Sequence, residues 1–295
     1  MEQTSGTYSG IGALVSQNAE TGIITVVKAF ADAPAAKAGV KNGDIIYKVK
    51  GKEVTGVDIN NVVTEMKGEK GTTVDITVYR ESEKKYIDFT ITRDQVNEPT
   101  VEYKMLDKKK KIGYIQISQF EEVTYDQFTK ALDDLKKQGM KAVIFDVRSN
   151  PGGLYETVCK MLDEILPEGN LVSTKDKYGN EEKQTSDSKC LDMPMVVLQN
   201  KDSASASEIF AGAIQDFNAG KIVGTQSFGK GIVQTILPLS DGSAVKLTVQ
   251  DYYTPSGKNI HGKGITPDVE VELEENATSD TQLEKAKETI MELMK

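Results

Sequence analysis

The sequence predicts an α/β protein of two domains, a small and largely antiparallel one followed by a parallel α/β core. Strand patterns with one helix fill residues 23–92, strands and helices alternate after residue 112, and a lysine-rich stretch separates the two regions. A length of 295 residues with 38% hydrophobic content leaves room for two ordinary hydrophobic cores.

The first domain is predicted from short strands in which apolar residues alternate with polar ones. The predicted strands are Ile23 to Ala29, Asp44 to Val49, Thr73 to Tyr79 and Tyr86 to Thr92. Between the second and third of these, Asp58 is placed to cap a helix that ends at Gly68. About five strands and one helix fit a unit of roughly ninety residues.

A charged stretch, Lys104 to Lys111, contains five lysines and follows Asn97-Glu98-Pro99. Such a stretch is typical of a solvated connector. The predicted division is a tail at 1–7, a first domain at 8–96, a linker at 97–111, an α/β core at 112–273 and a C-terminal helix at 274–295.

The second domain repeats a strand followed by a helix, which predicts a parallel sheet with crossover helices. The predicted strands are Ile112 to Phe120, Ala142 to Val147, Met195 to Gln199 and Ile222 to Gly224. The predicted helices are Tyr125 to Gly139, Leu154 to Ile165 and Ala206 to Phe217. The all-apolar character of Ala142 to Val147 suits a strand buried on both faces.

Composition excludes several classes of function. A net charge of -9 and a pI near 5.0 disfavour nucleic acid and anionic membranes as partners. Cys159 and Cys190 are too few and too far apart for a zinc site, and the single histidine, His261, excludes two-histidine metal motifs, so no metal or other cofactor is expected. The first six residues lack the basic and apolar parts of a signal peptide, and no run of eighteen apolar residues occurs.

Two unusual loops follow neighbouring predicted strands. One runs from Arg148 to Gly153 and the other from Asn200 to Ser205. Ligands of open α/β sheets collect where strands end and helices begin, so both loops are predicted to border one site.

The second loop leads three serines, Ser203, Ser205 and Ser207, into an apolar helix. A serine there has free amides and the positive end of the helix dipole nearby, which stabilise an oxyanion. The alternative is that one of these serines caps the helix, with Glu208 completing a capping box. Spacing alone does not choose the nucleophile.

A serine nucleophile needs a base, and the sequence offers two candidates. Lys230 lies between Gly229 and Gly231, which allow backbone to close over it, and burial favours the neutral form of a lysine. Gln234 is four residues on, about 13 Å away along a regular strand, so contact with Lys230 requires a bend or bulge at Gly231 or a leaning lysine. His261 is the rival base, but it sits in a glycine-rich loop without an obvious carboxylate partner.

Taken together, these segments resemble the C-terminal processing peptidases, tail-specific serine proteases that combine a PDZ domain with a Ser-Lys peptidase core. The resemblance covers roughly residues 8–273 and rests on Ser9-Gly10-Ile11-Gly12, the Ala33 to Val54 stretch, Asp146 to Gly153, Ser203 to Glu208 and Gly229 to Gln234. It implies a PDZ domain, mostly β with one or two helices, and a crotonase-like or Clp-protease-like α/β serine peptidase core.

The resemblance also implies roles for individual residues. The nucleophile falls on Ser205, the general base on Lys230, and the residue that orients the lysine on Gln234. The oxyanion donors fall on the amides of Ala206 and of the Gly152-Gly153 turn.

In the first domain, Ser9, Gly10, Ile11 and Gly12 match the loop that receives a peptide's terminal carboxylate while the peptide adds as a strand. The family often has an arginine that is proposed to sense bound peptide where this chain has Lys67, which keeps the charge and loses planar bidentate recognition.

The function implied is that of a serine endopeptidase that binds protein or peptide tails with free C-termini and cleaves through an acyl-enzyme. An extracytoplasmic location in a bacterial envelope and a possible homo-oligomer are expected on the same basis. The alternatives are a catalytically silent PDZ-type tail-binding protein and a crotonase-like enzyme acting on acyl thioesters. The second alternative leaves the PDZ match unexplained.

Overall fold

The computed structural model describes residues 5–274, 277 and 279–295. The chain forms two compact units, Met1–Pro99 and Thr100–Lys295. Of the tail expected at 1–7, residues 1–4 lie outside the described residues, while Thr7 begins the first strand.

The first unit is a six-stranded antiparallel sheet with a separate strand pair. Its strands are β1 (Thr7–Gly10), β2 (Ala13–Gln17), β3 (Ile24–Ala29), β4 (Ile45–Val49), β5 (Lys52–Glu53), β6 (Thr73–Arg80), β7 (Lys85–Thr92) and β8 (Asp94–Asn97). The sheet order is β2-β3-β4-β6-β7, with β5 beside β4, and β1 pairs with β8. The antiparallel pairing predicted from alternation is confirmed.

Two helices close the core of this unit, α1 (Pro34–Ala38) and α2 (Ile59–Met66). The predicted cap of α2 is confirmed, since the Asp58 carboxylate accepts from the Asn60 amide at 2.8 Å. Val62 and Met66 of α2 pack on the buried face of the sheet, which fixes the helix beside β2 and the glycine loop that precedes it.

The second unit is built on a six-stranded sheet in the order β18-β15-β14-β11-β10-β9. Its strands are β9 (Val101–Asp107), β10 (Ile112–Ile117), β11 (Ala142–Asp146), β14 (Met195–Gln199), β15 (Gly220–Gly224) and β18 (Val269–Glu270). The predicted parallel core is confirmed, because all neighbours from β10 to β18 run parallel and only β9 is antiparallel.

Helices cover both faces of this sheet. They are α3 (Glu122–Lys137), α4 (Tyr155–Asp163), α5 (Ala206–Asp216) and α6 (Thr281–Leu293). Alternate residues of β11 divide between the faces: Val143 and Phe145 pack with α3, α4 and α5, whereas Ala142 and Ile144 pack with α6. Burial on both faces explains why β11 has no polar residue before Asp146.

A second sheet was not predicted. It contains β12 (Gly169–Asp176), β13 (Glu181–Ser186), β16 (Ile232–Pro238) and β17 (Ala244–Tyr253) in the order β13-β12-β17-β16. The β16–β17 hairpin begins directly after the Gly229-Lys230-Gly231 segment, so this sheet positions the candidate base.

The prediction of a linker at 97–111 is wrong for most of that range. Val101–Asp107 form β9, which pairs with β10 through Tyr103 opposite Ile115 and Lys104 opposite Tyr114. The lysine-rich stretch is therefore the second half of this strand and the turn into β10. Of its lysines, Lys104 is exposed on this edge strand, where charge discourages pairing with other chains, and Lys108 to Lys111 lie in the turn.

The N-terminus of α6 is fastened to the first site loop. Arg148, just after β11, donates to both carboxylate oxygens of Asp280, at 3.0 and 2.8 Å, and to Gln282 at 3.2 Å. It also pairs with the buried Asp146 at 2.6 Å. Asp280 in turn caps α6 through the Leu283 amide. The helix and the loop are therefore held by one guanidinium.

Replacing Asp280 by asparagine is expected to weaken the acid resistance of the fold. Burial alone would raise the pKa of Asp280, but the hydrogen bonds from Arg148 and the Leu283 amide outweigh it and lower this pKa. A lowered folded-state pKa stabilises the fold above the unfolded pKa of about 3.9, and this contribution is lost as pH falls through the folded value.

For this partly exposed pair we expect a loss of about 1 kcal/mol at neutral pH. Thermal melts of parent and variant should then converge below about pH 4. Glu284→Gln, in the same helical turn but 54% exposed and paired only with Lys287, is the matched control and should follow the parent. A constant gap between Asp280→Asn and the parent at all pH values would contradict the prediction.

Candidate active site

Ser205 is the residue at which β14's loop turns into α5. Its backbone has φ 55° and ψ -114°, a left-handed conformation that is costly for a residue with a Cβ. Such a conformation persists only where the surroundings over-determine it, and it places Ser205 at the positive end of the helix dipole.

Ser203 and Ser207 fasten the two site loops together, and neither hydroxyl caps α5. The Ser203 hydroxyl donates to the Val147 carbonyl at 2.8 Å, and the Ser207 hydroxyl donates to the Asn150 carbonyl at 2.9 Å. The capping alternative is therefore wrong for these two serines, because both are buried against the loop after β11 and not turned toward the first amides of the helix. The capping box with Glu208 is formed by Ser205.

Glu208 joins the serine loop to the lysine segment. Its carboxylate is fully buried and accepts four hydrogen bonds. One oxygen accepts from the amides of Ser205 and Lys230, each at 2.8 Å. The other accepts from the Ser227 hydroxyl at 2.6 Å and the Gly229 amide at 2.7 Å. An ionised carboxylate offers only acceptors, so these four donors satisfy both of its oxygens.

Lys230 is half-buried and held by backbone on both sides. The amide of Phe228 donates to the Ser203 carbonyl at 3.0 Å, which adds a second tie between the two segments. On the far side, a Cβ at Gly231 would lie 2.6 Å from the His261 amide nitrogen, so only glycine allows this approach. Backbone therefore packs closely on the glycine that follows Lys230, while the covering of the lysine side chain stays a prediction.

Gly152 lies directly against the serine. A Cβ on Gly152 would lie 2.8 Å from the Ser205 Cβ and 3.0 Å from the Ala206 amide nitrogen, and its φ is 106°. The Gly152 amide itself donates to the Asn150 side chain at 2.9 Å. In the described part of the chain, the amides of Gly153 and Ala206 donate no hydrogen bond. These two donors are thus left for a ligand.

Gln234 is not brought to Lys230. It lies exposed on β16, where its amide donates to the Thr248 hydroxyl across the hairpin at 3.5 Å. The bulge that was expected at Gly231 lies between Val233 and Gln234, where the register with β17 shifts. Tight packing of Gly231 on the His261 loop explains the difference, since the chain cannot bend there. His261 is exposed.

In the first unit, the loop after β1 presents free amides. Within residues 5–274, the amides of Ile11 and Gly12 donate no hydrogen bond, and the hydroxyl of Ser9 is buried without a partner. The loop is anchored from behind, because the Gly68 amide donates to the Ser9 carbonyl at 3.2 Å.

Lys67, which ends α2, lies beside this loop. Its ammonium is 4.9 Å from the centre of the Tyr8 ring, and a Cβ on Gly10 would lie 3.0 Å from that ring and 3.6 Å from the Lys67 Cα. Ser9, Gly10, Ile11, Gly12 and Lys67 therefore form one group around unsatisfied donors and a positive charge.

Sequence reasoning missed two residues of the site. Glu208 was considered only as part of a capping box, and Tyr252 was given no role, although its hydroxyl donates to the Ser205 carbonyl at 3.1 Å. A glutamate in an otherwise apolar helix, where residues 209–214 are all buried, was the available signal for the first. No local signal marks the second, because its partner lies 47 residues away.

Among the described side chains, no three His, Cys, Asp or Glu residues are grouped to hold a metal ion. The helices that the structure describes include none long and apolar enough to cross a membrane. The arrangement consists of a serine on a strained turn, two free amides beside it, and a lysine whose backbone is tied to the same carboxylate.

Comparison with known proteins identifies the family of the chain. The model of peptidase family S41 matches residues 111–271, and that of the PDZ domain matches residues 9–91. The carboxy-terminal-processing protease of Bartonella bacilliformis is 41% identical over 279 residues, which cover 92% of this chain and 63% of that protein. A "Probable CtpA-like serine protease" of Staphylococcus epidermidis is 39% identical over 274 residues, which cover 92% and 54% respectively.

A solved structure agrees with the fold. The photosystem II D1 C-terminal processing protease matches with a TM-score of 0.56 and 30% identity, over 97% of this chain and 77% of that one. Fold and comparisons together define a two-domain protein in which a PDZ domain precedes a peptidase-type α/β core. The chain belongs to peptidase family S41. It spans 54 to 63% of the length of the two curated relatives described above.

Proposed function

We propose that this chain is a serine endopeptidase that binds the C-terminal tails of proteins through its PDZ domain and cleaves them with a Ser205–Lys230 dyad. The observation that carries the proposal is the shared oxygen of Glu208, which holds the Ser205 and Lys230 amides at 2.8 Å each. Two segments 25 residues apart are thereby fixed around one buried group.

In the proposed reaction, the Lys230 amine takes the proton of the Ser205 hydroxyl as the hydroxyl oxygen attacks the scissile carbonyl carbon. The tetrahedral intermediate collapses, the carbon–nitrogen bond breaks, and the lysine ammonium gives its proton to the leaving amine. Water then attacks the acyl-enzyme and passes a proton to Lys230. The ester bond breaks, and Lys230 gives that proton to the departing Ser205 oxygen, which releases the acid and the free serine.

The oxyanion donors are proposed to be the amides of Gly153 and Ala206. Both are free of hydrogen bonds in the described chain, whereas the Gly152 amide is bound to Asn150. The role of Gly152 is then to lack a side chain, because any Cβ would strike Ser205 and the Ala206 amide. Donors fixed before reaction stabilise the developing charge without reorganisation.

Gln234 is proposed to orient Lys230 only after a rearrangement of β16. In this structure the Gln234 side chain is exposed and donates to the Thr248 hydroxyl. The backbone of Lys230 is therefore held by Glu208 without help from Gln234. Bound substrate would have to shift the hairpin register at the Val233–Gln234 bulge to bring Gln234 inward. The structure thus corresponds to a resting arrangement on this mechanism.

Tail recognition is proposed for the loop at Ser9 to Gly12. The free amides of Ile11 and Gly12 are hydrogen-bond donors of the kind that a terminal carboxylate accepts from, and Lys67 supplies a positive charge beside them.

An extracytoplasmic location is proposed from the family resemblance, and fractionation of the producing cells tests it.

The test of the function compares one unstructured peptide carrying a free C-terminal carboxylate with its amidated form. We expect cleavage of the free acid and a kcat/KM lower by roughly ten- to a hundredfold for the amide, since charge-assisted hydrogen bonds are lost. Cleavage is followed by mass spectrometry of the products.

Matched variants sharpen this comparison. Lys67→Met should shrink the difference between the two peptides, whereas Lys70→Met, which removes an exposed lysine paired with Asp94, should leave it unchanged. Equal cleavage of both peptides by the parent would exclude tail recognition. Binding of the free acid without any cleavage would favour the silent tail-binding alternative.

A further inference from the structure

Tyr252 is a second residue, besides Glu208, that connects the serine segment with the lysine segment. It lies near the end of β17, and its side chain is fully buried in the core of the second unit. Its hydroxyl donates to the Ser205 carbonyl at 3.1 Å, and its amide donates to the Gly231 carbonyl at 3.1 Å. One residue therefore contacts Ser205 and the residue that follows Lys230.

The Ser205 carbonyl is the group through which the strained turn is held. It accepts from the Glu208 and Ile209 amides at 2.8 and 3.0 Å and from the Tyr252 hydroxyl. The two amides belong to the helix and fix the carbonyl relative to α5 alone. Among the described residues, only the tyrosine hydroxyl connects this carbonyl to the second sheet.

We propose that Tyr252 is a positioning residue that sets the separation of Ser205 and Lys230 by bridging the Ser205 carbonyl and the Gly231 carbonyl. This inference rests on the proposed function. A tyrosine side chain suits the task because its ring is rigid and only two torsions place its hydroxyl. The distance between its two hydrogen-bonding groups is therefore nearly fixed by its covalent structure.

The surroundings keep this hydroxyl a donor. Burial raises the pKa of Tyr252 well above its ordinary value, with a smaller contribution from Glu208, so the proton is retained over the working pH range. The backbone of Tyr252 is also held, since the Asn259 side chain donates to its carbonyl at 3.4 Å and Thr174 lies opposite it in β12. The bridge is thus anchored at both ends.

A packing role and a positioning role make different predictions for Tyr252→Phe. Phenylalanine keeps the ring in the core and removes only the oxygen that reaches Ser205. Tyr253→Phe is the matched control, because that neighbour is half-buried and its ring lies under the Lys175 ammonium, away from the serine. The two variants delete the same atom from adjacent residues.

The experiment measures the rate of acylation of Ser205 by a fluorophosphonate probe, together with kcat and KM for a tail peptide and the melting temperature. For Tyr252→Phe we expect acylation and kcat to fall about tenfold, the effect of one hydrogen bond of ordinary strength, with KM within about twofold of the parent. Replacing Tyr252 by p-aminophenylalanine, which restores a donor at the same place, should recover most of the rate. Tyr253→Phe should match the parent.

Parental acylation and kcat in a folded Tyr252→Phe would overturn the inference and leave the proposed function standing. An equal fall in Tyr252→Phe and in the p-aminophenylalanine variant would also overturn it, since the donor would then be irrelevant. A parent that neither reacts with the probe nor cleaves the peptide would overturn the proposed function and this inference with it.

Discussion

Ser205→Ala is expected to reduce cleavage of a tail peptide by about 10⁴-fold or more, as loss of a nucleophile does in serine proteases. Loss of the hydroxyl removes the group that would form the acyl-enzyme, while the backbone amides and the PDZ domain are untouched. Peptide affinity should therefore stay near the parental value. Single-turnover cleavage and equilibrium binding of the same peptide provide the two readouts.

Ser203→Ala and Ser207→Ala are the controls for this variant. Each removes a hydroxyl that donates to a loop carbonyl, which should cost about 1 kcal/mol of stability. Both should retain an acylable serine and a measurable fraction of cleavage. Full activity of Ser205→Ala, or loss of probe labelling only in Ser207→Ala, would place the nucleophile elsewhere.

Glu208→Gln is the second large effect that we expect. The amide nitrogen of glutamine is a donor and would face two of the four donors that now bind the carboxylate, whose closest contact is the Ser227 hydroxyl at 2.6 Å. Hydrogen bonds to a buried charged group contribute about 1.5 to 3 kcal/mol each, so we expect a loss of about 2 to 4 kcal/mol in the free energy of unfolding. Because Ser205 and Lys230 lose their common acceptor, kcat should fall by roughly 10² or more.

Glu156→Gln provides the comparison, because this glutamate also lies in the first turn of a helix but is exposed. Its substitution should change neither stability nor activity beyond experimental error. Urea denaturation and peptide kinetics measure both properties. A Glu208→Gln enzyme with parental kcat would show that the shared carboxylate does not set the geometry of the site.

The sequence predicted the cores because burial there follows a simple period. In β6, Val74, Ile76 and Val78 alternate with exposed or half-buried neighbours, and in β11 every residue is buried. The antiparallel and parallel sheets were assigned from these two patterns. Helix and strand ends differed by a few residues, as expected where the last turn depends on local packing.

The second sheet was missed for different reasons in different strands. β13 carries no such period, whereas Val245, Leu247 and Val249 alternate with polar residues in β17 and were not assigned to a strand. All but the last residue of β13 are exposed, and β16 and β17 expose Ile236, Leu237 and Leu247 on a projecting hairpin. A strand exposed on both faces is indistinguishable from a loop by hydropathy. The stretch from Lys104 to Lys111 suggested a connector because four of its five lysines lie in the turn between β9 and β10.

The site was predictable only where its residues are close in sequence. Loop position marked the serine loop and the glycine turn, and the flanking glycines marked Lys230 as a candidate base. The family resemblance then selected Ser205 among three serines and assigned Ala206 as an oxyanion donor. The partners of Glu208 lie 19 to 22 residues away and that of Tyr252 lies 47 away, so neither contact leaves a local trace. The direction of the Gln234 side chain depends on a bulge that no residue type in this segment predicts.

The order of these residues along the chain also bears on how the protein is made. Synthesis produces Ser205 first, the Glu208 acceptor almost with it, Lys230 later and Tyr252 last, near the end of the hairpin that completes the second sheet. On the proposed mechanism, a partly synthesised chain has Ser205 but lacks the base Lys230 and the positioning residue Tyr252. It would therefore be inactive during its own synthesis, when neighbouring polypeptides are unfolded and cleavable.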